Sequence, residues 1–437
     1  MSLRFPRAVT LAAAASLAFG VATPHANAAA AAATDGPATE GQWVAAWYSP
    51  PFPPTAVWGC NQVRTFSHQT VRQVVRLESG GDRVRIRLSN ELGLGPLRFG
   101  AVHVAISSPN GVTEPGSDRT VTFGGKPGAV IPRGQALDSD AVDLAVRRFQ
   151  ELAISIYYPS GAAPAGHLVN LEISPPGDHA AESVWPQASR AQSPVLASGV
   201  DVETASPAKV LVAFGDSITE GACATDGAHR DYPEQLSVLL AARRGSDQSW
   251  VVINSGISGN RLLHDGAGQK ALGRFGRDAL DVAGVKAILL LEGINDIGWA
   301  FDPRGDGGPV SAADIIGAYQ DLIRRAHAHG LQIFLGTLTP YEGATYFRPG
   351  GEQEREEVNA WIRKSQGFDG VVDFDAALRD PSSPLHYLGA DQCGDDLHPN
   401  DAGYQAMAEA AFERLFAPGS AHAPLAQTSA SHPHKSG

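Results

Sequence analysis

Cysteine is scarce in this 437-residue chain, and the three present, Cys60, Cys223 and Cys393, allow one disulfide with one thiol left over. Positive charge is also in deficit: 34 Lys plus Arg stand against 46 Asp plus Glu, for a net charge of -12. No basic tract exists that could neutralise a phosphate backbone, which excludes nucleic acid as a partner. Long apolar runs are missing too. The longest, Ala8 to Ala22, is Ala-rich and shorter than the roughly 20 residues a membrane span requires. A long amphipathic lid segment is likewise lacking, which disfavours long-chain lipid at an interface.

What the first residues do offer is Arg4 and Arg7, then that short apolar run, then Ala26-Asn27-Ala28 with its small-x-small spacing. This is the layout of a secretory signal peptide, residues 1–28, cleaved after Ala28. Without a Cys after the cleavage site, no lipid anchor is indicated, and the expected location is secreted or periplasmic. Residues 29–41 read as a flexible leader and 417–437 as a disordered tail, since neither has a periodic apolar signal. His432 and His434 in that tail read as solvated residues.

At this length two folded units are expected. Residues 42–199 alternate with period two: Arg83, Arg85 and Arg87 interleave with Val84, Ile86 and Leu88, and Val102, Val104 and Ile106 repeat the pattern. Further strands are expected at Val71 to Leu77, Ala141 to Val146 and Leu152 to Tyr158, which together suggest an all-β sandwich. Pro186 to Pro207 reads as the connection out of it. From 208 to 416 strand-like apolar runs alternate with helix-length segments, the sign of an α/β unit with a parallel sheet. Strands are expected at Lys209 to Phe214, Trp250 to Asn254, Ala287 to Leu291, Gln332 to Thr337 and Val371 to Phe374. Helices are expected at Tyr232 to Arg243, Gly268 to Val282, Ser311 to His329, Glu352 to Lys364 and Asp401 to Phe416.

Polar residues gather after those strands, where ligands of doubly wound folds bind. The first strand runs into Gly215-Asp216-Ser217, the second into Ser255-Gly256-Ile257-Ser258-Gly259-Asn260, the third into Gly293-Ile294-Asn295-Asp296. Near the end stands Cys393-Gly394-Asp395-Asp396-Leu397-His398-Pro399-Asn400, an acid and a His three residues apart. Acyl transfer requires a hydroxyl nucleophile, a base, a group orienting the base, and donors for an oxyanion, and all four can be filled here.

Four such blocks in this order resemble the GDSL/SGNH hydrolase family, over roughly Lys209 to Phe416. The resemblance implies a flavodoxin-like three-layer α/β/α fold. It makes Ser217 the nucleophile, His398 the base and Asp395 the orienting acid, with an oxyanion hole of the Ser217 and Gly259 N–H groups and the Asn295 side chain. The family's Asp-x-x-His spacing selects Asp395 over Asp396. No cofactor and no metal is implied; a site built from Asp395, Asp396, His386 and His398 has no distinctive ligand spacing. Asp216 is read as serving the turn.

Segments such as Ser258-Gly259-Asn260-Arg261 and Leu397-His398-Pro399-Asn400 look like secreted bacterial members with a β-rich leading domain, of the carbohydrate- or aryl-esterase kind. The expected activity is therefore short-acyl ester hydrolysis on a small ester or an acylated carbohydrate. Alternatives are a lipase or lysophospholipase-type acylhydrolase, and a carbohydrate-binding protein with an inactive hydrolase scaffold. Trp299, four residues after Asn295, could line the substrate site; Tyr341 and Trp361 fit core packing equally well. Cys223 and Cys393 are the preferred disulfide because each lies close to a block that must meet the other in space, although three pairings and a set of free thiols remain open. As base, His398 must be neutral, so activity should fall on acidification.

Overall fold

The computed structural model describes residues 41–54, 64–108, 112–243, 249–300, 308–364 and 367–417. The expected signal peptide, nearly all of the leader, Cys60 and the tail beyond residue 417 lie outside the described residues.

The architecture of the second half follows from the apolar runs. Lys209–Gly215 (KVLVAFG) is buried at every position after its first residue, as expected of a parallel strand covered on both faces. It pairs in parallel with Trp250–Gly256 on one side and Val285–Leu291 on the other. Gln332–Gly336 and then Gly370–Val372 extend the sheet, so the five strands lie in the spatial order second, first, third, fourth, fifth. Ala312–Ala328 forms a helix because Ile315, Ala318, Tyr319, Leu322, Ile323 and Ala326 recur at three- and four-residue steps and are all buried. Ser311 and Asp314 close a capping box at its start. The last helix, Asp401–Phe416, begins where Asn400 accepts from the backbone N–H groups of Ala402 and Gly403.

The N-terminal region is β-rich. One antiparallel sheet contains Gln42–Tyr48, Ala197–Thr204, Gly81–Ser89 and Ala136–Asp138, with Val142–Val146 also paired to Gly81–Ser89. A second runs in the order Ser189–Pro194, Leu168–Pro176, Gln69–Arg76, Glu151–Tyr158, Val102–Ile106 and Arg119–Val121. The alternation seen in the sequence is the burial pattern: Val84, Ile86 and Leu88 are fully buried, while Arg83 and Arg85 reach outward to Glu203 and Asp201.

Two expectations require correction. Pro186 to Pro207 is not a plain connection, because it supplies two strands. The second, Ala197–Thr204, lies between Gln42–Tyr48 and Gly81–Ser89 and places Val200 and Val202 in the core. The expected helix at Gly268 to Val282 is a short α-helix, Ala271–Phe275, continued by a π-turn, Gly276–Leu280.

One apolar cluster runs through both regions, from Val44 to Phe416. Polar contacts also cross between them. Ala45 N–H donates to the Ala283 carbonyl at 3.0 Å, and Arg148 donates to the Ser237 and Trp250 carbonyls at 3.0 and 3.1 Å.

Candidate active site

Ser217 begins a one-turn helix, Ser217–Glu220, immediately beyond the first parallel strand. Asp216 caps it, its Oδ1 accepting the Ile218 N–H at 3.0 Å. Gly215 has no alternative here, since a Cβ would stand 2.2 Å from both the Leu291 carbonyl oxygen and the Thr219 hydroxyl. The turn thus lifts Ser217 off the sheet end in one step.

Ser217 Oγ lies 2.8 Å from His398 Nε2. On the far side of the ring, His398 Nδ1 lies 2.6 Å from Asp395 Oδ2. Asp395 Oδ1 also accepts the N–H groups of Leu397 and His398, at 3.0 and 2.9 Å. Partial burial works to raise the Asp395 pKa, but these hydrogen bonds and the charge of His398 outweigh it and hold the carboxyl at about 2. Asp396 meets Gln392 at 3.3 Å instead of the imidazole.

The His398 loop is tied down on several sides. A disulfide joins Cys223 to Cys393, and the Cys393 N–H donates to the His398 carbonyl at 3.1 Å. Asp401, at the start of the last helix, accepts from the Thr225 N–H and hydroxyl at 2.8 and 2.7 Å. Among the described residues, Cys223, Asp395 and His398 bring ligand-capable atoms within 4.8 Å of one another. The Cys223 sulfur is committed to the disulfide, so this group lacks the thiolate that a metal would take. His386 lies elsewhere, against Glu342 and Ser383.

Behind the second strand, Ile257 to Asn260 makes a turn closed by the Asn260 N–H on the Ile257 carbonyl at 3.0 Å. Gly259 sits in it at φ +73°, a left-handed conformation that a side chain resists. Asn295 reaches the same turn, its Nδ2 donating to the Asn260 carbonyl at 3.0 Å. Its Oδ1 accepts from Trp299 Nε1 at 3.2 Å and from the Tyr346 hydroxyl at 3.3 Å. With Oδ1 so occupied, the amide cannot flip, and its second N–H is the one available to a developing oxyanion. Trp299 is thus bonded to Asn295 and meets the Tyr346 ring edge-on at 5.1 Å. Tyr341 is fully buried, and Trp361 lies between Tyr319 and Phe368, away from this cluster.

Beneath the turn lies a charged cluster that the sequence did not reveal. Arg274 is wholly buried; it donates to the Gly215 carbonyl at 2.7 Å, the Ser255 carbonyl at 3.0 Å and Asn260 Oδ1 at 2.8 Å, and rests on the Phe214 ring. Glu292 lies 3.6 Å from it. Burial, then the nearby Asp216 charge, pushes the Glu292 carboxyl well above the usual carboxylate range. Burial likewise raises Asp216 to about 7 and Asp296 to about 6, although Asp296 accepts the Leu262 and Leu263 N–H groups.

A serine hydroxyl, an imidazole and a carboxylate in one relay beside a fixed amide have the geometry that acyl transfer requires. Residues 213–406 match the model of the GDSL-like lipase/acylhydrolase family. This part of the chain is similar to that GDSL/SGNH family. Solved structures similar to this region include a putative lipolytic protein of the G-D-S-L family from Desulfitobacterium hafniense DCB-2. It is 20% identical, with 46% of this chain and 97% of that chain covered and a TM-score of 0.35. An acetylxylan esterase from Geobacillus stearothermophilus, as a catalytic mutant, is 21% identical over 47% and 93% of the two chains, with a TM-score of 0.36. An α/β hydrolase from the metagenome of Lake Arreo is 23% identical over 47% and 93%, also at 0.36. No curated protein matches the chain.

Proposed function

We propose that this chain is an exported serine esterase that removes short acyl groups, acting through a Ser217-His398-Asp395 triad. The observation that carries the reading is the unbroken relay from Ser217 Oγ to His398 Nε2, and from His398 Nδ1 to Asp395.

In this mechanism Ser217 Oγ attacks the ester carbonyl while His398 Nε2 takes its proton. The oxyanion is held by the N–H groups of Ser217 and Gly259 and by the Asn295 amide. His398 returns the proton to the leaving alcohol, leaving an acyl-serine. Water then repeats the sequence: His398 takes its proton, the hydroxide adds to the acyl carbon, and the acid departs as Ser217 regains its hydrogen. Asp395, held as the carboxylate, keeps Nδ1 protonated and stabilises the imidazolium that forms twice per turnover. No cofactor enters these steps.

Export is supported by Arg4, Arg7 and the Ala26-Asn27-Ala28 site, and by the Cys223–Cys393 disulfide, since such bonds persist in oxidising compartments. Among the described residues no helix is long and apolar enough to cross a membrane. An acyl group on a carbohydrate is the favoured natural substrate, on the resemblance of Ser258-Gly259-Asn260-Arg261 and Leu397-His398-Pro399-Asn400 to carbohydrate-esterase segments.

The test is hydrolysis of p-nitrophenyl acetate, butyrate and decanoate, with Ser217→Ala purified in parallel. A preference for acetate that disappears with Ser217 is expected. Preference for decanoate would point to a lipase-type acylhydrolase, and equal rates in the variant would remove the triad from the reading.

A further inference from the structure

The N-terminal β-rich region sends one side chain to the α/β region at a sensitive place. His167 is nine-tenths buried, and its Nε2 lies 2.8 Å from Glu220 Oε1. Glu220 closes the one-turn helix that Ser217 opens. Its other oxygen, Oε2, accepts the backbone N–H of Ser258, the residue immediately before Gly259. One carboxylate therefore bridges the nucleophile's helix and the turn that presents the Gly259 N–H.

The chemistry of the imidazole fixes the charge of the pair. His167 Nδ1 faces the Pro50 carbonyl at 3.1 Å, and a carbonyl can only accept. Nε2 faces Glu220: burial works to raise its carboxyl, but the His167 charge and hydrogen bond and the Ser258 N–H outweigh burial and hold it below the usual carboxylate range, so it accepts as well. Both ring nitrogens must then carry hydrogen, so the ring is an imidazolium against an ionised Glu220. Burial opposes this charge on His167, but the Glu220 charge and hydrogen bond and the Pro50 carbonyl outweigh it and raise its pKa.

The surroundings leave little slack. A Cβ on Gly256 would stand 2.2 Å from the Glu220 nitrogen, and Asn254 Nδ2 donates to the Thr219 and Glu220 carbonyls at 2.8 and 3.3 Å. Phe52 meets the His167 ring edge-on at 6.4 Å. A second strut from the same β-rich region reaches the other end of the turn. Tyr48 donates to Asp278 Oδ1 at 2.7 Å, Asp278 flanks Arg274 at 3.5 Å, and Arg274 holds Asn260 Oδ1 and the Gly215 carbonyl.

We propose that His167 and Glu220 are positioning residues for the oxyanion hole: the β-rich region, through His167, orients Glu220, which holds the Ser258–Gly259 turn and the Ser217 helix in one geometry. This rests on the esterase reading above. It assigns the N-terminal region a part in turnover rather than in covering the sheet.

The experiment is a comparison of Glu220→Gln, His167→Gln and the double variant with wild type on p-nitrophenyl acetate, with rates normalised by active-site titration so that unfolded protein does not count. Each single variant is expected to lose about 10- to 100-fold in kcat with KM within twofold, a span below that of deleting a whole oxyanion donor. The Ki of phenylboronic acid, which forms a tetrahedral adduct on serine, should rise in parallel. The double variant should be no worse than the poorer single one, because the pair acts as a unit. Titrated kcat within twofold of wild type in both single variants, or a loss confined to KM, would overturn the proposal. Failure of the esterase reading shows differently, as hydrolysis by wild type that survives Ser217→Ala.

Discussion

Replacing Asn295 by Asp alters one NH2 group into an oxygen and nothing else in volume. In the native site Oδ1 is filled by Trp299 and Tyr346, at 3.2 and 3.3 Å, and both can only offer hydrogen to it, because burial first, then nearby charges, keeps the Tyr346 hydroxyl protonated. The carboxylate must therefore turn its second oxygen toward the Asn260 carbonyl, which the amide nitrogen now meets at 3.0 Å, and toward the oxyanion. Loss of the donor alone costs about 3 to 4 kcal/mol of barrier, or 10²- to 10³-fold in kcat. A like charge about 4 Å from the developing oxyanion adds about 4 kcal/mol at an effective dielectric of about 20. Asn295→Ala should thus lose 10²- to 10³-fold with KM nearly unchanged, and Asn295→Asp clearly more. Trp299→Phe, which frees one of two anchors, should lose only about 3- to 10-fold. Steady-state rates on p-nitrophenyl acetate, with thermal melts to exclude unfolding, measure all three. An Asn295→Asp enzyme within tenfold of wild type would refute the argument.

Three other outcomes are expected. Asp216 is raised to about 7 in the folded chain against about 3.9 unfolded, so its ionisation favours unfolding: stability is spared below about pH 4, declines as pH rises toward 7 and is flat above. Asp216→Asn keeps the helix cap and removes that cost, so urea unfolding should show a stability gain that grows from pH 4 to 8, to the order of 2 to 4 kcal/mol; a gain independent of pH contradicts this. The disulfide closes a loop of 170 residues, for which chain entropy gives about 5 kcal/mol; the Cys223→Ser, Cys393→Ser double variant should lose 2 to 5 kcal/mol, and a loss under about 1 would show that the cross-link does not restrain the unfolded chain. Asp395→Asn would offer an N–H to His398 Nδ1 and impose the wrong tautomer, so kcat should fall about 10²- to 10⁴-fold; a fall under tenfold, read on the same ester, would deny Asp395 its orienting role.

Much of the fold was legible because each apolar run has one reading. A seven-residue stretch such as Val285–Leu291, between Gly284 and Glu292-Gly293, is too short for a typical helix and suits a strand covered on both faces. Ala197–Thr204 escaped notice because Pro, Ser and Gln surround it, and its place between two distant strands depends on partners rather than composition. The break after Phe275 escaped for a related reason: the spacing favours a continuous helix, while the π-turn puts Asp278 against Arg274, Arg277 and Tyr48. At the site, Ser217, Asp395 and His398 stand in short recognisable blocks. Tyr346, Arg274 and His167 do not, since their bonds join distant positions: Tyr346 to Asn295 51 residues away, Arg274 to Gly215 59 away and His167 to Glu220 53 away. Only Glu220 carried a hint, as an acid on the first turn after the nucleophile.

The site's precision has two sources of different kinds. The proposed oxyanion donors leave three adjacent parallel strands whose ends are level: Gly215 is paired with Gly256 on one side and with Leu291 on the other. Ser217, Gly259 and Asn295 follow those residues by two, three and four positions, so sheet register brings them to one height. His398 has no such support, because it comes from a loop beyond the last strand. Its place is fixed by the disulfide to Cys223, by Asp401 on Thr225, and by the Tyr404 hydroxyl on the Ala222 carbonyl at 2.6 Å. All three attach to the segment that follows Ser217 itself. The proposed base and nucleophile are therefore tethered to each other, while the proposed hole is set by the sheet. Damage to the tethers should depress the proton-transfer steps with oxyanion affinity retained, and damage beneath the turn, at Arg274 or Glu220, should do the reverse.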